Sequence, residues 1–390
     1  MNPSFEPDYR RRAAVVLCRR TPFGRVRGVH AAIEAHQLLA AVLPAAQRDA
    51  GLAAADIDDV IVGNATGGGG NVARLAALTA GLPNAVPGLT VDRQCSSGLD
   101  AIVLACRLVE SGAGDWFLAG GVESCSTAPL RAHRLTSLPG APDFYSRAQF
   151  APEEQGDPDA GEAAENVAAA FGVGREQQDR YALSSYARTA AAHDAMAAEI
   201  VPVGGCGADE TSRRTMSAAL MARFPPAFRT AGSVTAGNSC ADADGAVVTV
   251  VTTVDHARAA GFGTILEFRG SAVSGGPPAL FGTAGAFAVR KLLDGLRLSS
   301  DDINTWEYNE AFAAQVLASA LLIGVAPENL NLHGGALAYG HPYGASGAML
   351  VANLLRQASQ RKDDGGWSVA AVSAAGGVGT AAAFRPVSLR

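Results

Sequence analysis

The chain has 390 residues, of which 48% are hydrophobic and 17% are charged. This length exceeds the size at which a single core stops growing, so it predicts two or more domains or an internally duplicated fold. The formal net charge of −6 gives no support for nucleic-acid binding. It does not exclude an anionic small molecule, because a local patch can bind phosphates against the overall charge.

Cysteine usage and the N-terminal residues indicate the cellular setting. The six cysteines have neither the spacing of a disulfide framework nor a Cys-X-X-Cys site. Residues 1–12 (MNPSFEPDYRRR) lack the apolar stretch of a signal peptide. No uninterrupted apolar run reaches the roughly 18 residues that span a bilayer. We therefore expect a cytoplasmic protein without a membrane partner, and we find no pattern that predicts a metal site.

Short strand-like runs alternate with Ala- and Leu-rich helical stretches, which is typical of an α/β protein. A first set of strands is predicted at residues 13–18, 59–63, 88–92, 115–119 and 246–254. A second set is predicted at residues 264–269, 305–308, 330–332, 367–373 and 380–384. Helices are predicted among them at residues 36–49, 100–110, 286–296 and 347–358. Several strands are apolar almost throughout, as expected where helices cover both faces of a sheet.

The stretch between the two strand sets differs in composition. Residues 138–161 are rich in Pro, Gly and Asp, and residues 162–197 are polar and helix-rich. We interpret the stretch as a large insertion between two α/β halves that share an order of elements without obvious sequence identity. The predicted division is an N-terminal half at 1–122 whose sheet is completed by 245–265, an insertion at 123–244 and a C-terminal half at 266–390.

Cys95 is the first candidate for chemistry. It lies in the stretch DRQCSSGL (92–99), between a predicted strand and a largely apolar helix. A thiol at a helix N-terminus feels unpaired N–H groups and the positive end of the dipole, which favour the thiolate. The Ser-Ser-Gly that follows permits close approach of another backbone or a ligand. From these residues alone, a buried structural cysteine remains an equal alternative.

His341 is the second candidate, in a segment at 331–347 that contains five glycines and precedes a predicted helix. Such a segment packs tightly while presenting one side chain, so His341 is a candidate base for the thiol proton. A core histidine with satisfied hydrogen bonds is the alternative. Asn309, directly after a predicted strand, has the amide chemistry to hold a water or donate to an oxyanion, but the residues alone favour a turn-capping role.

Together these segments resemble the thiolase family of acetyl-CoA C-acetyltransferases and 3-ketoacyl-CoA thiolases, from about residue 13 to the C-terminus. The matching stretches are RTPFG (20–24), RQCSSGL (93–99), AGGVES (119–124), AENVA (164–168), VTAGN (234–238), NEAFA (309–313), 334–347 and GGVG (376–379). The resemblance implies an α/β thiolase fold, with two βαβαβαββ halves in a five-layered α-β-α-β-α core. It also implies that the insertion is a loop domain covering coenzyme A.

The resemblance assigns roles to individual residues. Cys95 matches the acyl-accepting nucleophile, His341 its base, and Asn309 the residue that holds a water in an oxyanion hole. The backbone N–H groups of Cys95 and of the Ala375–Gly376 turn would stabilise the oxyanion of the attacked thioester. The implied substrate is an acyl-CoA, with no permanently bound cofactor, and the implied assembly is a homodimer or homotetramer. The residues at positions of coenzyme A contact are Arg213, Phe228, Ser239, Cys240, Ala311 and Phe312.

The chain departs from the family at Ser373, which stands where a second catalytic cysteine normally exchanges the proton of the substrate α-carbon. A thiol titrates at about pH 8.5, whereas a serine alkoxide is not accessible near neutral pH. We therefore expect impaired proton exchange at carbon but intact formation of an acyl-Cys95 species, unless another group such as Cys125 or Cys240 serves. Tyr343, like Tyr339, flanks His341 where the family commonly has smaller or aliphatic residues.

Three functions remain open at this stage. The first is a thiolase that condenses acyl-CoA or cleaves 3-ketoacyl-CoA with a modified acid/base group. The second is an acyltransferase of the same fold that uses another acceptor, or whose carbanion arises by decarboxylation of a malonyl-type substrate. The third is a non-catalytic CoA-binding or partner subunit.

Overall fold

The computed structural model describes residues 11–135, 140–210, 216–361 and 365–389, so the predicted contact Arg213 lies outside the described residues. Within these ranges the strands β1 to β12 are Ala13–Arg20, Gly24–Arg25, Asp59–Gly63, Gly88–Val91, Phe117–Glu123, Arg131–His133, Asp143–Tyr145, Ala243–Thr253, Thr264–Gly275, Ile303–Tyr308, Trp367–Ala374 and Val378–Ser388. The helices α1 to α12 are Ala35–Asp49, Val72–Thr79, Ser97–Ser111, Ala160–Phe171, Arg175–Ala191, His193–Ala197, Ala218–Met221, Val254–Ala259, Ala284–Leu296, Ala313–Ile323, Ala336–Tyr339 and Tyr343–Gln360. This order confirms the predicted α/β class.

The main strands follow the order β10-β11-β12-β9-β1-β8-β5-β3-β4. On one side, β3 is parallel to β4 and β5, and β8 is antiparallel to β5 and β1. On the other side, β10 is parallel to β11, and β12 is antiparallel to β11 and β9. The two sides join where β1 pairs with β9 at Ala14–Glu267 and Val15–Leu266. The chain therefore builds two sheets of similar design that share one short edge.

The two halves repeat one order of elements, β1-α1-β3-α2-β4-α3-β5-β8 and β9-α9-β10-α10-α12-β11-β12. The exception is β4, which has no counterpart strand between α10 and α12. The predicted strand at 330–332 is wrong, because only Leu330 pairs, in an isolated parallel bridge with Trp306. The cause is Asn331, whose φ of 53° is incompatible with a strand. Its side chain accepts the Tyr308 N–H (2.7 Å) and donates to the Tyr308 carbonyl oxygen (2.8 Å). The Asn331 side-chain amide thus makes the hydrogen bonds to β10 that the backbone of a neighbouring strand would make.

Helices α3 and α12 form a central layer between the two sheets. Their buried residues Ile102 and Val351 share one apolar cluster with Val247 of the first sheet and Val372 of the second. The outer face of the first sheet packs against α1 and α2, and that of the second packs against α9 and α10. The layers are therefore α-β-α-β-α, as the resemblance implied.

The first turns of α3 and α12 touch through glycines. A Cβ atom at Gly98 would lie 2.5 Å from the Gly344 carbonyl oxygen. One at Gly347 would lie 2.5 Å from the Leu99 backbone nitrogen. Side-chain carbons do not approach backbone so closely, so glycine is required for this contact. As a consequence, the N-terminal ends of both central helices meet at one place.

The segment between β5 and β8 contains α4 to α7 and the small β6–β7 hairpin. The buried Glu165 carboxylate of α4 accepts the backbone N–H groups of Ser233 (3.0 Å) and Val234 (2.9 Å). The Asn238 side chain donates to Asp179 of α5 (2.9 Å). These bonds attach the loop ahead of β8 to the helices of the insertion. The residue boundaries of the insertion and the two halves stay a prediction.

No helix in the described ranges is long and apolar enough to cross a membrane. The longest, α12, has 18 residues and carries Asn353, Arg356 and Gln357 as buried polar side chains. In the same part of the chain, no group of three or more His, Cys, Asp or Glu side chains could hold a metal ion.

Candidate active site

Cys95 lies in a tight turn between β4 and α3. Gln94 has a φ of 51°, a left-handed conformation that is uncommon for a residue with a side chain. The Asp92 carboxylate accepts the Gln94 N–H (2.8 Å), and the Ser97 hydroxyl accepts the Arg93 N–H (2.7 Å). These bonds hold the turn, so Cys95 stands half-buried directly ahead of the first turn of α3.

The surroundings of the Cys95 thiol oppose its ionisation in the resting protein. The pKa of the thiol is raised to about 12, first by burial and then by the negative charges of Glu123 and Asp242. The backbone N–H groups of Cys95 and Ala375 lower the pKa because they donate to the sulfur. A base must therefore remove the proton during a reaction. The same two N–H groups can stabilise negative charge that develops beside the sulfur.

His341 is buried in the loop ahead of α12. Its Nδ1 lies 2.6 Å from the Ser346 hydroxyl oxygen, and its buried Nε2 has no hydrogen-bond partner among the described residues. Burial lowers the pKa of the imidazole to about 4, so the ring is neutral near pH 7. With Nδ1 bonded to Ser346, Nε2 is the nitrogen available to take a proton. Sequence reasoning assigned no role to Ser346, which lies in the first turn of α12.

Contact between α3 and α12 brings Cys95 and His341 to the same end of the central layer. Each lies three residues before a glycine of that contact, Gly98 and Gly344 respectively. The sulfur is therefore at the N-terminus of one helix and the imidazole at the N-terminus of the other. Two motifs that are far apart in the chain meet through tertiary packing alone.

Glu123, at the end of β5, is a buried carboxylate to which sequence reasoning assigned no role. Asn64 Nδ2 and the Thr66 hydroxyl donate to it, both at 2.7 Å. The backbone N–H groups of Ala65 (3.0 Å), Thr66 (3.1 Å) and Gly344 (3.0 Å) also donate to it. Burial raises the pKa of this carboxyl, and the donors oppose that effect. Glu123 thus ties the turn after β3 to the first turn of α12. Its sequence signal was its place in the family-like stretch AGGVES (119–124).

Asn309 and Ser373 lie at the ends of neighbouring strands. Asn309 follows β10 and is buried. The Ser373 hydroxyl donates to the Gly282 carbonyl oxygen (2.7 Å) and accepts the Gly285 N–H (2.9 Å). Its oxygen is also 3.0 Å from the Tyr308 hydroxyl, which must be the donor because the serine proton is already used. The proton and both lone pairs of the Ser373 hydroxyl are therefore engaged.

The described residues among the predicted coenzyme A contacts lie together where the insertion meets α10. Ser239 pairs with Phe312 in an isolated antiparallel bridge, and the Cys240 N–H donates to the Ala311 carbonyl oxygen (2.9 Å). Phe228 is 43% exposed and packs edge-on against Phe312, with ring centroids 6.0 Å apart. These five residues are therefore neighbours, of which Ser239 is buried and Phe228 is the most exposed.

A polar pair, Tyr343 and Asp242, lies beside His341. The Tyr343 hydroxyl donates to Asp242 Oδ1 (2.6 Å), and the Asp242 backbone pairs with His341 in an isolated parallel bridge. The Tyr343 ring meets the imidazole edge-on, with centroids 5.1 Å apart. The pKa of the Tyr343 hydroxyl is raised, first by burial and then by the charge of Asp242, so it remains a donor. Sequence reasoning noted Tyr343 as unusual but assigned nothing to Asp242.

Comparisons with known proteins identify the family. The family model described as "Thiolase, N-terminal domain" matches residues 13–255, and "Thiolase, C-terminal domain" matches residues 263–386. The chain is 42% identical over 376 residues to "Putative acetyl-CoA C-acetyltransferase YhfS" of Bacillus subtilis (strain 168), which covers 95% of this chain and 98% of that protein. VraB of Staphylococcus aureus (strain MRSA252), named for the same activity, is 40% identical over 380 residues, covering 95% and 98% respectively.

Solved structures match over nearly the whole chain. The Bacillus anthracis acetyl-CoA acetyltransferase has a TM-score of 0.87 at 30% identity, covering 97% of this chain and 99% of that one. Human mitochondrial 3-ketoacyl-CoA thiolase, solved in complex with CoA, has a TM-score of 0.88 at 30% identity, covering 97% and 98%. These likenesses confirm the predicted thiolase fold. With both family domains matched in order and the fold shared, the chain belongs to the thiolase family of acyltransferases.

Proposed function

We propose that this chain is an acyl-CoA C-acyltransferase that forms an acyl thioester on Cys95 while condensing acyl-CoA or cleaving 3-ketoacyl-CoA. The observation that carries the proposal is the contact between the N-termini of α3 and α12, which brings a thiol and a histidine with an unpartnered nitrogen to the same end of the central layer. Coenzyme A thioesters are the proposed substrates, in line with the names of the relatives and the human thiolase bound to CoA. This chemistry requires no permanently bound cofactor.

In the proposed acylation step, His341 Nε2 takes the proton of Cys95 as the sulfur attacks the thioester carbonyl. The backbone N–H groups of Cys95 and Ala375 stabilise the oxyanion that develops. The carbon–sulfur bond of the acyl-CoA then breaks, and the departing CoA thiolate takes the proton from His341. The charges of Glu123 and Asp242 raise the pKa of the thiol, so the proton is removed by the base in the same step as the attack.

Asn309 is proposed to hold a water that forms a second oxyanion hole with His341. Its support is a buried position directly after β10. Coenzyme A is proposed to lie where the insertion meets α10, and Arg213, outside the described residues, stays among its predicted contacts. The described residues proposed to contact it are Phe228, Ser239, Cys240, Ala311 and Phe312.

Ser373 is proposed to hold structure at this site, in place of the acid/base function of the family's cysteine. Replacing Ser373 with Ala leaves the Gly285 N–H and the Tyr308 hydroxyl without their acceptor. We expect the free energy of unfolding to fall by about 1–3 kcal/mol. Chemical denaturation of Ser373→Ala beside Ser111→Ala, an exposed control, measures the effect. Equal stability of the two variants would contradict the structural role.

The acyl-Cys95 proposal predicts a covalent adduct. Intact-protein mass spectrometry after mixing with acetyl-CoA should show one acetyl group on the wild-type protein and none on Cys95→Ala. Cys206→Ser is the matched control, because Cys206 is also half-buried but lies outside the site, and it should keep the adduct. A wild-type protein that stays unmodified refutes the proposal and favours a non-catalytic CoA-binding or partner subunit.

The decarboxylative alternative is opposed by the charges near the sulfur. Glu123 and Asp242 both act on the Cys95 thiol as negative charges. The carboxylate of a malonyl-type substrate would add a third negative charge to the same pocket, and like charges repel. An acyl group without a carboxylate is therefore the better fit, whichever acceptor receives it.

A homodimer or homotetramer is the proposed assembly. Strand β4 ends the sheet order, so its outer edge is unpaired within the described part of the chain. Leu75, Leu78 and Leu89, on α2 and β4, are 46%, 42% and 40% exposed. An unpaired edge strand beside exposed apolar side chains favours pairing with a second copy of the chain.

A further inference from the structure

The proposed reaction needs a group that moves a proton to and from the substrate α-carbon. The Ser373 hydroxyl does not supply one, because its alkoxide is inaccessible near neutral pH and all its hydrogen-bonding capacity is used. We propose that Asp242, oriented by Tyr343, is the catalytic residue that exchanges this proton. The inference rests on the proposed acyl-Cys95 chemistry and names its acid/base group.

Asp242 pairs through its backbone with His341, one of the two reacting groups of the site. The His341 N–H donates to the adjacent Ala241 carbonyl oxygen (2.8 Å). The Asp242 carboxylate is also one of the two negative charges that raise the pKa of the Cys95 thiol. The proposal therefore places the α-carbon of the second substrate against this carboxylate.

The Asp242 carboxylate keeps one oxygen available. Oδ1 accepts the Tyr343 hydroxyl at 2.6 Å, and the side chain is exposed. Among the described residues, this is the one hydrogen bond recorded for the carboxylate. Tyr343 in turn is held edge-on against the His341 ring. The tyrosine thus fixes the direction of the carboxylate and leaves Oδ2 free to take a proton.

Other ionisable groups near the sulfur fit the task less well. Glu123 is saturated by five donors, three of them backbone N–H groups, so its lone pairs are committed to holding the fold. Burial and the nearby carboxylates raise the pKa of Cys125 well above its usual range. The Tyr343 hydroxyl also has a raised pKa and is already donating. Asp242 is the group that combines proximity, exposure and an open lone pair.

The proton and electrons balance without any added reactant. Asp242 takes the α-proton of the second acyl-CoA, and the electron pair of the broken C–H bond forms the C–C bond to the acyl carbonyl carbon. The C–S bond to Cys95 breaks as the 3-ketoacyl-CoA forms, and the Cys95 thiolate takes the proton from Asp242. Thiolysis runs the same steps in reverse. Carboxylates serve as general bases for carbon acids next to carbonyl groups in other enzymes.

Deuterium exchange tests the assignment separately from acylation. Wild-type protein in D₂O with excess acetyl-CoA should place deuterium in the acetyl methyl group, read by mass spectrometry of the CoA ester. Asp242→Asn should slow this exchange at least about 100-fold while still forming acetyl-Cys95. Tyr343→Phe, which keeps the ring against His341, should slow exchange about tenfold. Asp255→Asn, a change at an exposed aspartate of α8, controls for the loss of charge.

Chemical rescue separates a catalytic carboxylate from a structural one. Formate should restore part of the exchange in Asp242→Ala, because a small carboxylate can enter the vacated space, and it should not affect the wild-type rate. Exchange that persists within about threefold in Asp242→Asn, or a wild-type protein that is acetylated yet never exchanges, overturns the assignment. Absence of acetyl-Cys95 in the wild type overturns the proposed function instead, so the two failures are distinguishable.

Discussion

Replacing His341 with Asn should lower the rate of Cys95 acylation by about 10²–10⁴-fold, the usual contribution of a general base. The thiol cannot compensate, because its pKa is raised to about 12 by burial and by Glu123 and Asp242. Rapid mixing with acetyl-CoA, acid quench and mass spectrometry give the single-turnover rate. A fall of less than about fivefold in the acylation rate would mean that another group removes the thiol proton.

The pH dependence of the same rate checks the identity of the base. Only the neutral imidazole can take a proton, and burial lowers the pKa of His341 to about 4. The base form therefore dominates at pH 5.5, and the single-turnover rate there should be within about twofold of that at pH 7. An exposed histidine, with a pKa of about 6.5, would have lost most of its activity at that pH. A midpoint near 6.5 in the wild-type profile contradicts the assigned environment.

Replacing Glu123 with Ala should lower the free energy of unfolding by about 3–5 kcal/mol, because several buried donors lose one shared acceptor. The donors belong to the turn after β3 and to Gly344, so the start of α12 should loosen as well. Chemical denaturation measures the loss, with Glu153→Gln as an exposed control. An effect no larger than that of the control would show that the carboxylate is dispensable to the fold.

The substitution Glu123→Gln tests the charge of this side chain separately from its size. The amide keeps the size of the side chain, but the negative charge that raises the pKa of Cys95 is gone. The thiol should therefore ionise at lower pH, and iodoacetamide should modify Cys95 faster in this variant than in the wild type at the same pH. Peptide mapping identifies the modified residue. An unchanged or slower rate would contradict the electrostatic contribution of Glu123.

The candidate nucleophile and its base were predicted from local sequence patterns. Cys95 stands out because a strand, small residues and an apolar helix surround it, and each of these is readable within ten residues of sequence. His341 stands out because glycines crowd around it. Neither pattern states that the two side chains meet. That follows from the contact at Gly98 and Gly344, which joins two helices from opposite halves.

The strand predicted at 330–332 shows how tertiary contacts override a local signal. Leu330 and Leu332 are apolar and Asn331 is the single polar residue between them, so the period of two reads as a strand. In the fold, the Asn331 amide also bonds to Glu310 (2.8 Å) and holds the end of β10. A side chain whose partners lie 21 and 23 residues away in the chain cannot be interpreted from its sequence neighbours.

The sequence by itself determined the α/β class, the thiolase resemblance, and Cys95 and His341 as candidates, because these depend on short-range patterns of apolar, small and turn-forming residues. Tertiary structure alone decided that Ser373 has no open hydrogen-bonding position, that Ser346 bonds to His341, and that Asp242 pairs with His341. The physical reason is that hydrogen bonding and charge act through space. A carboxylate or hydroxyl has no defined partner until packing brings distant segments together.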